Sequence, residues 1–476
     1  MDNRHFWMDR RALLGAGGSL LALAACGQGG GRPGRPGEIG DRQADVLIKA
    51  LQDAPSHGFL PSAFGGPDAF QDGLGRRRLR AAVVAYARAM HGLAIPKAKM
   101  SKDWGLKRPA YDADQALDEA LAQDRLEDWL KTLPPPQPEY EALRAAYARY
   151  LKIGEAGWPR LDGAQSLKPG ATGPQVQALR QRLAVEDPQV EAAGPDQPFD
   201  QALSEALQRY QVSAGLKPTG RLDKATLAAL NVPAKARAAQ IRANLERWRW
   251  LDRTTPPTRV DVNSAAQTFE YFEDGQPKIH MLAAAGRPGD ETPILTSAID
   301  TVVLNPPWRV PDSIADEELF PKEQAHPGYF ASHGFVVDPP GESVKLMQKA
   351  GPDSALGLVK FQFPNDYAVY LHDTPAKGAF DQSRRSVSHG CVRLAQAVDF
   401  AKYLLSKEKG WPAQKVDEII ATHDETPVDL PQHVPVRLLY WTAFPAPGGD
   451  VAFRPDIYGW DVQTLRLLDA ATTGQG

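Results

Sequence analysis

Cysteine is nearly absent: two residues in 476, Cys26 and Cys391, are too few for a disulfide framework. A surplus of either charge is also missing. Lys and Arg number 55 against 58 Asp and Glu, a formal net charge of −3, which excludes bulk-charge binding of nucleic acid or of an anionic lipid surface. The uncharged, largely apolar run Ala12–Ala25 is too short to cross a bilayer. What the chain has in quantity is glycine and proline, 41 of each, with 42% hydrophobic residues, a composition of folded, loop-rich domains rather than of disorder. Its length suits two to four domains, each with its own core.

The N-terminus reads as an export signal, with Arg10 and Arg11 ahead of the apolar run. The pair followed by Ala12-Leu13-Leu14 resembles a twin-arginine signal and equally suits the general secretory route. Leu23-Ala24-Ala25-Cys26 resembles the lipobox of bacterial lipoproteins, in which the cysteine is acylated; cleavage near Ala24-Ala25 without a lipid is the alternative. Several acyl chains on Cys26 would anchor the protein, so a periplasmic lipoprotein tethered by residues 27–40 is expected. Cys391 is then the single free thiol of the mature chain, with no partner for an intramolecular disulfide.

Helical spacing dominates residues 41–160: Val46, Leu47, Ala50 and Leu51, then Leu79, Val83, Ala87 and Met90, then Leu117 and Leu121. Residues 161–233 repeat a Gly-bearing turn before an amphipathic helix, with Val176, Leu179 and Leu183 on one face, and predict a three-helix unit. The run 234–255 predicts a connecting helix. Beyond "TTPPT" the period changes to two, and Asp274-Gly275 is a strong hairpin cue, so a sheet domain is expected over 256–445 with a tail from 446 to 476. The Pro/Gly/aromatic-rich segment 305–358 is too long to join two strands simply and reads as a lid over a cleft. The whole is α+β and multidomain.

The thiol sits in "RRSVSHGCVRLAQAV", residues 384–398. Apolar spacing from Leu394 to Leu405 predicts a helix just after it, and Cys391 is therefore expected near a helix mouth, where backbone N–H groups lower a thiol's pKa. Gly390 lets a carbonyl approach, and N–H groups over His389, Gly390 and Cys391 are placed to face its oxygen. The thiol needs a base. His372 closes the alternating stretch "YAVYLH" and shares a strand face with Tyr370, so it is better placed than His389, which is two residues away on the same turn. An inert buried thiol, a zinc site of Cys391, His389 and His372, and a papain-like arrangement are the competing readings.

"HDTPAKGAFDQSRRSVSHGCVRL" resembles the signature of L,D-transpeptidases with a YkuD-type catalytic domain, and "NLERWRWL", "NPPWRVPDSIA" and "FRPDIYGWD" extend the likeness to the large periplasmic members. Residues 161–233 resemble a peptidoglycan-binding domain, on Gly173, Val176, Leu179, Phe199, Ala206, Tyr210, Gln211, Gly215, Leu216, Gly220 and Thr226. The resemblance implies a helical scaffold, the three-helix wall-binding unit and a mostly β, sandwich-like catalytic domain with a capping lid. It implies Cys391 as acylated nucleophile, His372 as its base, His389 and Gly390 in the loop and oxyanion region, and Arg393 holding the loop or a substrate carboxylate. Tyr370, Trp308, Tyr329 and Ser388 are candidate substrate contacts. It implies peptidoglycan stems and glycan as partners, acylation by carbapenems, no nucleic acid, no metal or organic cofactor, and a membrane link only through lipid. A carboxypeptidase variant and a non-catalytic wall-binding scaffold are the alternative functions.

Overall fold

The computed structural model describes residues 39–66, 70, 75–162, 166–191, 197–337, 346–446 and 450–474. The expected export signal, Cys26 and nearly all of the tether lie outside these residues. Among the described residues, no helix is long and apolar enough to cross a membrane.

Five helices build the scaffold: α1 (Asp41–Asp53), α2 (Gly75–Met90), α3 (Ala113–Ala122), α4 (Leu126–Thr132) and α5 (Pro138–Ala156). Each buries the stripe its periodicity predicted, including Leu47 and Leu51, Leu79 and Val83, and Leu117 and Leu121. The expected three-helix unit follows as α6 (Pro174–Ala184), α7 (Gln201–Ser213) and α8 (Lys224–Leu230). Asp200 and Asp223 cap the last two, accepting from Leu203 N at 2.8 Å and Thr226 N at 2.7 Å. A separate small core of Val176, Leu179, Leu183, Phe199, Leu203 and Leu207 holds the unit together. It is docked rather than loosely tethered. The Tyr150 hydroxyl donates to Glu186, and Arg454 donates to Ser213 O at 2.5 Å.

Helix α9 (Ala234–Arg249) is far more than a connection: from Ile241 to Arg249 every residue is buried. Its buried charged side chains each meet an opposite charge. Arg249 meets Glu246 at 2.8 Å and Arg247 meets Asp461 at 2.6 Å. Gln240 donates to Thr442 O at 2.9 Å. A buried charge without such a partner costs several kcal/mol, so the pattern fixes the packing around this helix.

The sheet domain opens with β1 (Arg259–Asn263), β2 (Thr268–Glu273), β3 (Gln276–Gly286) and β4 (Leu295–Leu304). The β2–β3 turn is the predicted hairpin, with Asp274 and Gly275 at φ 51° and 80°. The lid comes next: β5 (Trp308–Arg309), α10 (Asp312–Ile314), a π-helical turn over Ala315–Leu319, α11 (Phe320–Ala325), α12 (Tyr329–Ser332), β6 (Phe335–Val337) and β7 (Leu346–Gln348). It is a folded subdomain, whose β5–β7–β6 sheet covers a core of Val310, Leu319, Phe330, Phe335 and Leu346. Five strands complete the main sheet: β8 (Val359–Gln362), β9 (Leu371–His372), β10 (Ser386–Ser388), β11 (Val392–Leu394) and, after helices α13 (Ala397–Leu405) and α14 (Ala413–Thr422), β12 (Thr426–Leu439).

The strand order is β10-β3-β11-β9-β8-β4-β12-β1-β2, and β3 also pairs with β2, so the ladder returns on itself. Phe400 of α13 fills its interior against Phe269, Tyr271 and Phe361. At the end of the expected sheet domain lies β13 (Ala443–Pro445), and the stretch expected as a tail instead folds as β14 (Val451–Phe453), which pairs with β13, and α15 (Trp460–Thr473), which packs on α9.

Candidate active site

Strand alternation selects the side chains of the site. In β8, β9 and β11, Val359, Phe361, Leu371, Val392 and Leu394 point into the core. Lys360, Tyr370, His372 and Arg393 occupy the alternate positions, and so take the opposite face. Register then brings them together: Lys360 pairs with His372 across β8 and β9, and Arg393 pairs with His372 across β9 and β11. Cys391 directly precedes β11 and lies beside Tyr370, whose carbonyl accepts from Val392 N at 3.1 Å. His372 is thus the diagonal neighbour of the thiol on the same face. The parallel register therefore sets the thiol and the imidazole side by side on one face of adjacent strands.

Cys391 was expected at a helix mouth. It precedes a strand instead, and α13 begins only at Ala397. The thiol therefore lacks the helix dipole, and burial pushes it up from its ordinary pKa. Hydrogen bonds from the Tyr370 backbone and hydroxyl, together with the charges of Arg393 and Lys360, pull the other way. Burial also brings the His372 imidazole down to about 3, with Arg393 adding to the effect. At neutral pH both partners are consequently uncharged.

Among the described residues no side-chain carboxylate hydrogen-bonds the His372 imidazole. No hydrogen bond of good geometry reaches His372 Nδ1 among the described residues, and the backbone of Asp373 and Leu356 lies against the ring. The buried Asp373 acts one step removed. Its carboxylate accepts from Leu358 N at 2.9 Å and binds Lys377 at 2.6 Å, fixing the segment that carries Leu356.

The loop before the thiol is tightly braced. Ser388 is buried and donates to Cys391 O at 2.5 Å, while the Gly390 N–H, expected to face a substrate oxygen, donates to Ser388 Oγ at 3.3 Å. Gly390 holds φ at 107°, a conformation that favours glycine. Its carbonyl accepts from Thr292 Oγ1 at 2.7 Å, and Tyr458 donates to Gly286 O at 2.8 Å next to it. The scaffold reaches the same point through Gly105 N to Ile294 O at 2.7 Å.

His389 turns away from the imidazole and the thiol. Its Nε2 meets Glu318 Oε1 of the lid at 2.7 Å, and Glu318 also meets Arg287 at 3.4 Å. These charges hold Glu318 below the ordinary carboxylate range, the hydrogen bond from His389 first. Trp308 reaches from the lid toward the Tyr370 hydroxyl, beside the sulfur. Tyr329, expected in the cleft wall, instead belongs to the lid's own core, stacked on His333 at 4.0 Å and on Phe335 at 6.2 Å. Lys360, Glu318, Thr292 and Tyr458 were not among the residues sequence reasoning selected.

Three family profiles match: "L,D-transpeptidase catalytic domain" over 257–429, "Scaffold domain" over 37–146 and "Putative peptidoglycan binding domain" over 172–230. A Haemophilus influenzae protein named "Putative L,D-transpeptidase" is 36% identical over 221 residues, which are 43% of this chain and 45% of that relative. The chain thus matches a little under half the length of that curated relative. Among solved structures, an L,D-transpeptidase from Stackebrandtia nassauensis is 15% identical, covering 59% of this chain and 96% of the other with a TM-score of 0.25. The catalytic domain of the E. faecium L,D-transpeptidase acylated by ertapenem is 12% identical, covering 39% and 99% with a TM-score of 0.21. Residues 257–429 thus match the L,D-transpeptidase catalytic-domain family, in one chain with matches to a scaffold domain and a peptidoglycan-binding domain.

Proposed function

We propose that this protein is a cysteine-dependent L,D-transpeptidase that forms 3-3 cross-links in peptidoglycan, from a lipid anchor in the periplasm. The observation that carries the reading is Cys391 and His372 on one face of neighbouring strands, under a lid and in one chain with a wall-binding unit.

The reaction follows from the protonation states. Cys391 gives its proton to the His372 imidazole as the sulfur attacks the carbonyl of the third stem residue, diaminopimelate, in a donor tetrapeptide. Buried and uncharged before substrate arrives, the pair separates charge only as the S–C bond forms, with Lys360 and Arg393 beside the developing anion. The imidazolium then protonates the leaving amine, the C–N bond breaks, and D-alanine departs. An amine on a second stem attacks the thioester, His372 takes its proton, and the sulfur leaves and regains a proton. The strained amide of a carbapenem would acylate Cys391 by the same first step.

Incubating the full chain with disaccharide-tetrapeptides and weighing the products tests this. The wild type should give a cross-linked dimer with loss of D-alanine, and Cys391→Ala none. Tripeptide without dimer would assign a carboxypeptidase instead, and equal products from both proteins would remove Cys391 from the chemistry.

A further inference from the structure

Three nitrogen-bearing side chains stand in a row on the catalytic face: Lys360, His372 and Arg393, each of the outer two paired in register with the histidine between them. Direct cross-strand partners have Cβ atoms about 4.5–5.5 Å apart, so a cation flanks the imidazole on either side. Lys360 is half-buried and its ammonium lies over the Tyr370 ring at 5.3 Å, facing the sulfur's neighbour.

Neither cation forms an ion pair with an acid of the described residues. The carboxylate whose charge reaches Lys360 is that of the exposed Glu425, and the lid adds the opposing charge of Arg309. Arg393 feels the charge of Cys391 and acts on His372, with no acid among its partners, and its Nε is buried without a hydrogen-bond partner. Elsewhere the chain gives its buried and half-buried cations an acid or a backbone carbonyl, as Arg249 with Glu246 at 2.8 Å and Arg253 with Met90 O at 2.7 Å. Unpaired positive groups so close together are costly to desolvate. The resting thiol, held neutral, does not offset them.

We propose that Lys360 and Arg393 form a carboxylate subsite, which receives a carboxylate of the donor stem beside the amide that Cys391 attacks, and that Lys360 sets the preference for an acidic over an amidated donor. The subsite rests on the transpeptidase reading for the identity of its ligand. Two groups of the donor share the required chemistry: the terminal carboxylate of the leaving residue and the side-chain carboxylate of the third residue.

Two measurements on the full chain decide it. In the first, D-alanine release is followed for three donors: the free tetrapeptide, its C-terminal amide, and the tetrapeptide amidated on the third residue's side chain. A charged hydrogen-bonded contact predicts that the wild type prefers the free acid over one of the amides by about 10- to 100-fold in kcat/KM. Lys360→Met should lose most of that preference, its kcat/KM falling further on the acid donor than on the disfavoured amide, and Lys360→Arg should restore it. Whichever amide is disfavoured names the carboxylate. Equal losses on all three donors, or no preference in the wild type, overturn the proposal.

The second measurement does not depend on transpeptidase activity. Cys391 is alkylated with anionic iodoacetate and with neutral iodoacetamide, and the two rates are compared. The ratio of iodoacetate to iodoacetamide should fall about 3- to 10-fold in Lys360→Met, a comparison from which any change in the thiol common to both reagents cancels. An unchanged ratio overturns the subsite. A wild type that releases D-alanine from no donor overturns the transpeptidase reading, and the alkylation ratio then still decides the subsite.

Discussion

Gly357 sits where the account is most sensitive to a single methyl group. Its φ is +61°, and a Cβ there would stand 2.4 Å from Asp373 Oδ2 and 2.6 Å from Asp373 Cγ. Alanine in that conformation costs about 1–2 kcal/mol, and pushing back a packed group costs about 1–3 kcal/mol more. Gly357→Ala should therefore lose about 2–5 kcal/mol, part of it through displacement of the carboxylate that holds Leu358 N. Gly275 supplies the control. Its φ is +80° but nothing lies within 4 Å of its Cβ position, so Gly275→Ala should lose only the backbone share, about 1–2 kcal/mol. Urea unfolding followed by tryptophan fluorescence compares the pair, with D-alanine release as the functional readout. Turnover should fall in Gly357→Ala, because the Leu356 backbone no longer seats the imidazole, and stay unchanged in Gly275→Ala. Equal stability losses, with turnover intact in both, would refute the reasoning.

Replacing His372 with alanine should lower turnover by about 10²–10⁴-fold without preventing iodoacetamide from reaching Cys391, measured by product mass and by alkylation rate. Because burial raises the thiol, wild-type alkylation should keep rising as pH passes the ordinary cysteine range, with no plateau near neutrality. Glu318→Gln removes the charge that His389 and Arg287 share; hydrogen exchange over 312–332 should quicken, while global stability changes by only about 0.2–1 kcal/mol. His57 and His372 are buried with pKa values of about 3, each lowered first by burial. The unfolded chain takes up those protons below about pH 6.5 and the folded one does not, so their contribution is present above that pH and lost as pH falls toward 3. Each gives a slope of up to about 1.4 kcal/mol per pH unit, and His57→Gln should flatten the acid limb of a stability profile accordingly.

Much of the fold was legible because its periodicities are clean. The 3.6-residue spacing of Leu47, Leu51, Leu79 and Val83 became buried helix faces, and the Asp274-Gly275 turn formed the hairpin its residues allow. The pairing of His372 with the thiol segment was also readable, since alternation puts Tyr370 and His372 on one face. The error at Cys391 has a definite cause. Leu394 through Leu405 has helical spacing, but Val392–Leu394 is captured by β9 and β3, so the helix starts later than local spacing implies. The residues that were missed depend on register and on distant contacts. Lys360 reads as an ordinary alternate position in "GLVKFQFP" until β8 is laid against β9. Glu318 lies 71 residues from His389, and Tyr458 lies 172 residues from Gly286. No local pattern marks such partners.

The most direct test of the central claim is the mass of the enzyme itself during turnover. Quenched in acid shortly after mixing with a donor tetrapeptide, the wild-type chain should gain the mass of the tetrapeptide less that of the released D-alanine, mapped by peptide sequencing to Cys391. An adduct on another residue, or turnover that proceeds undiminished in Cys391→Ser, would contradict the account.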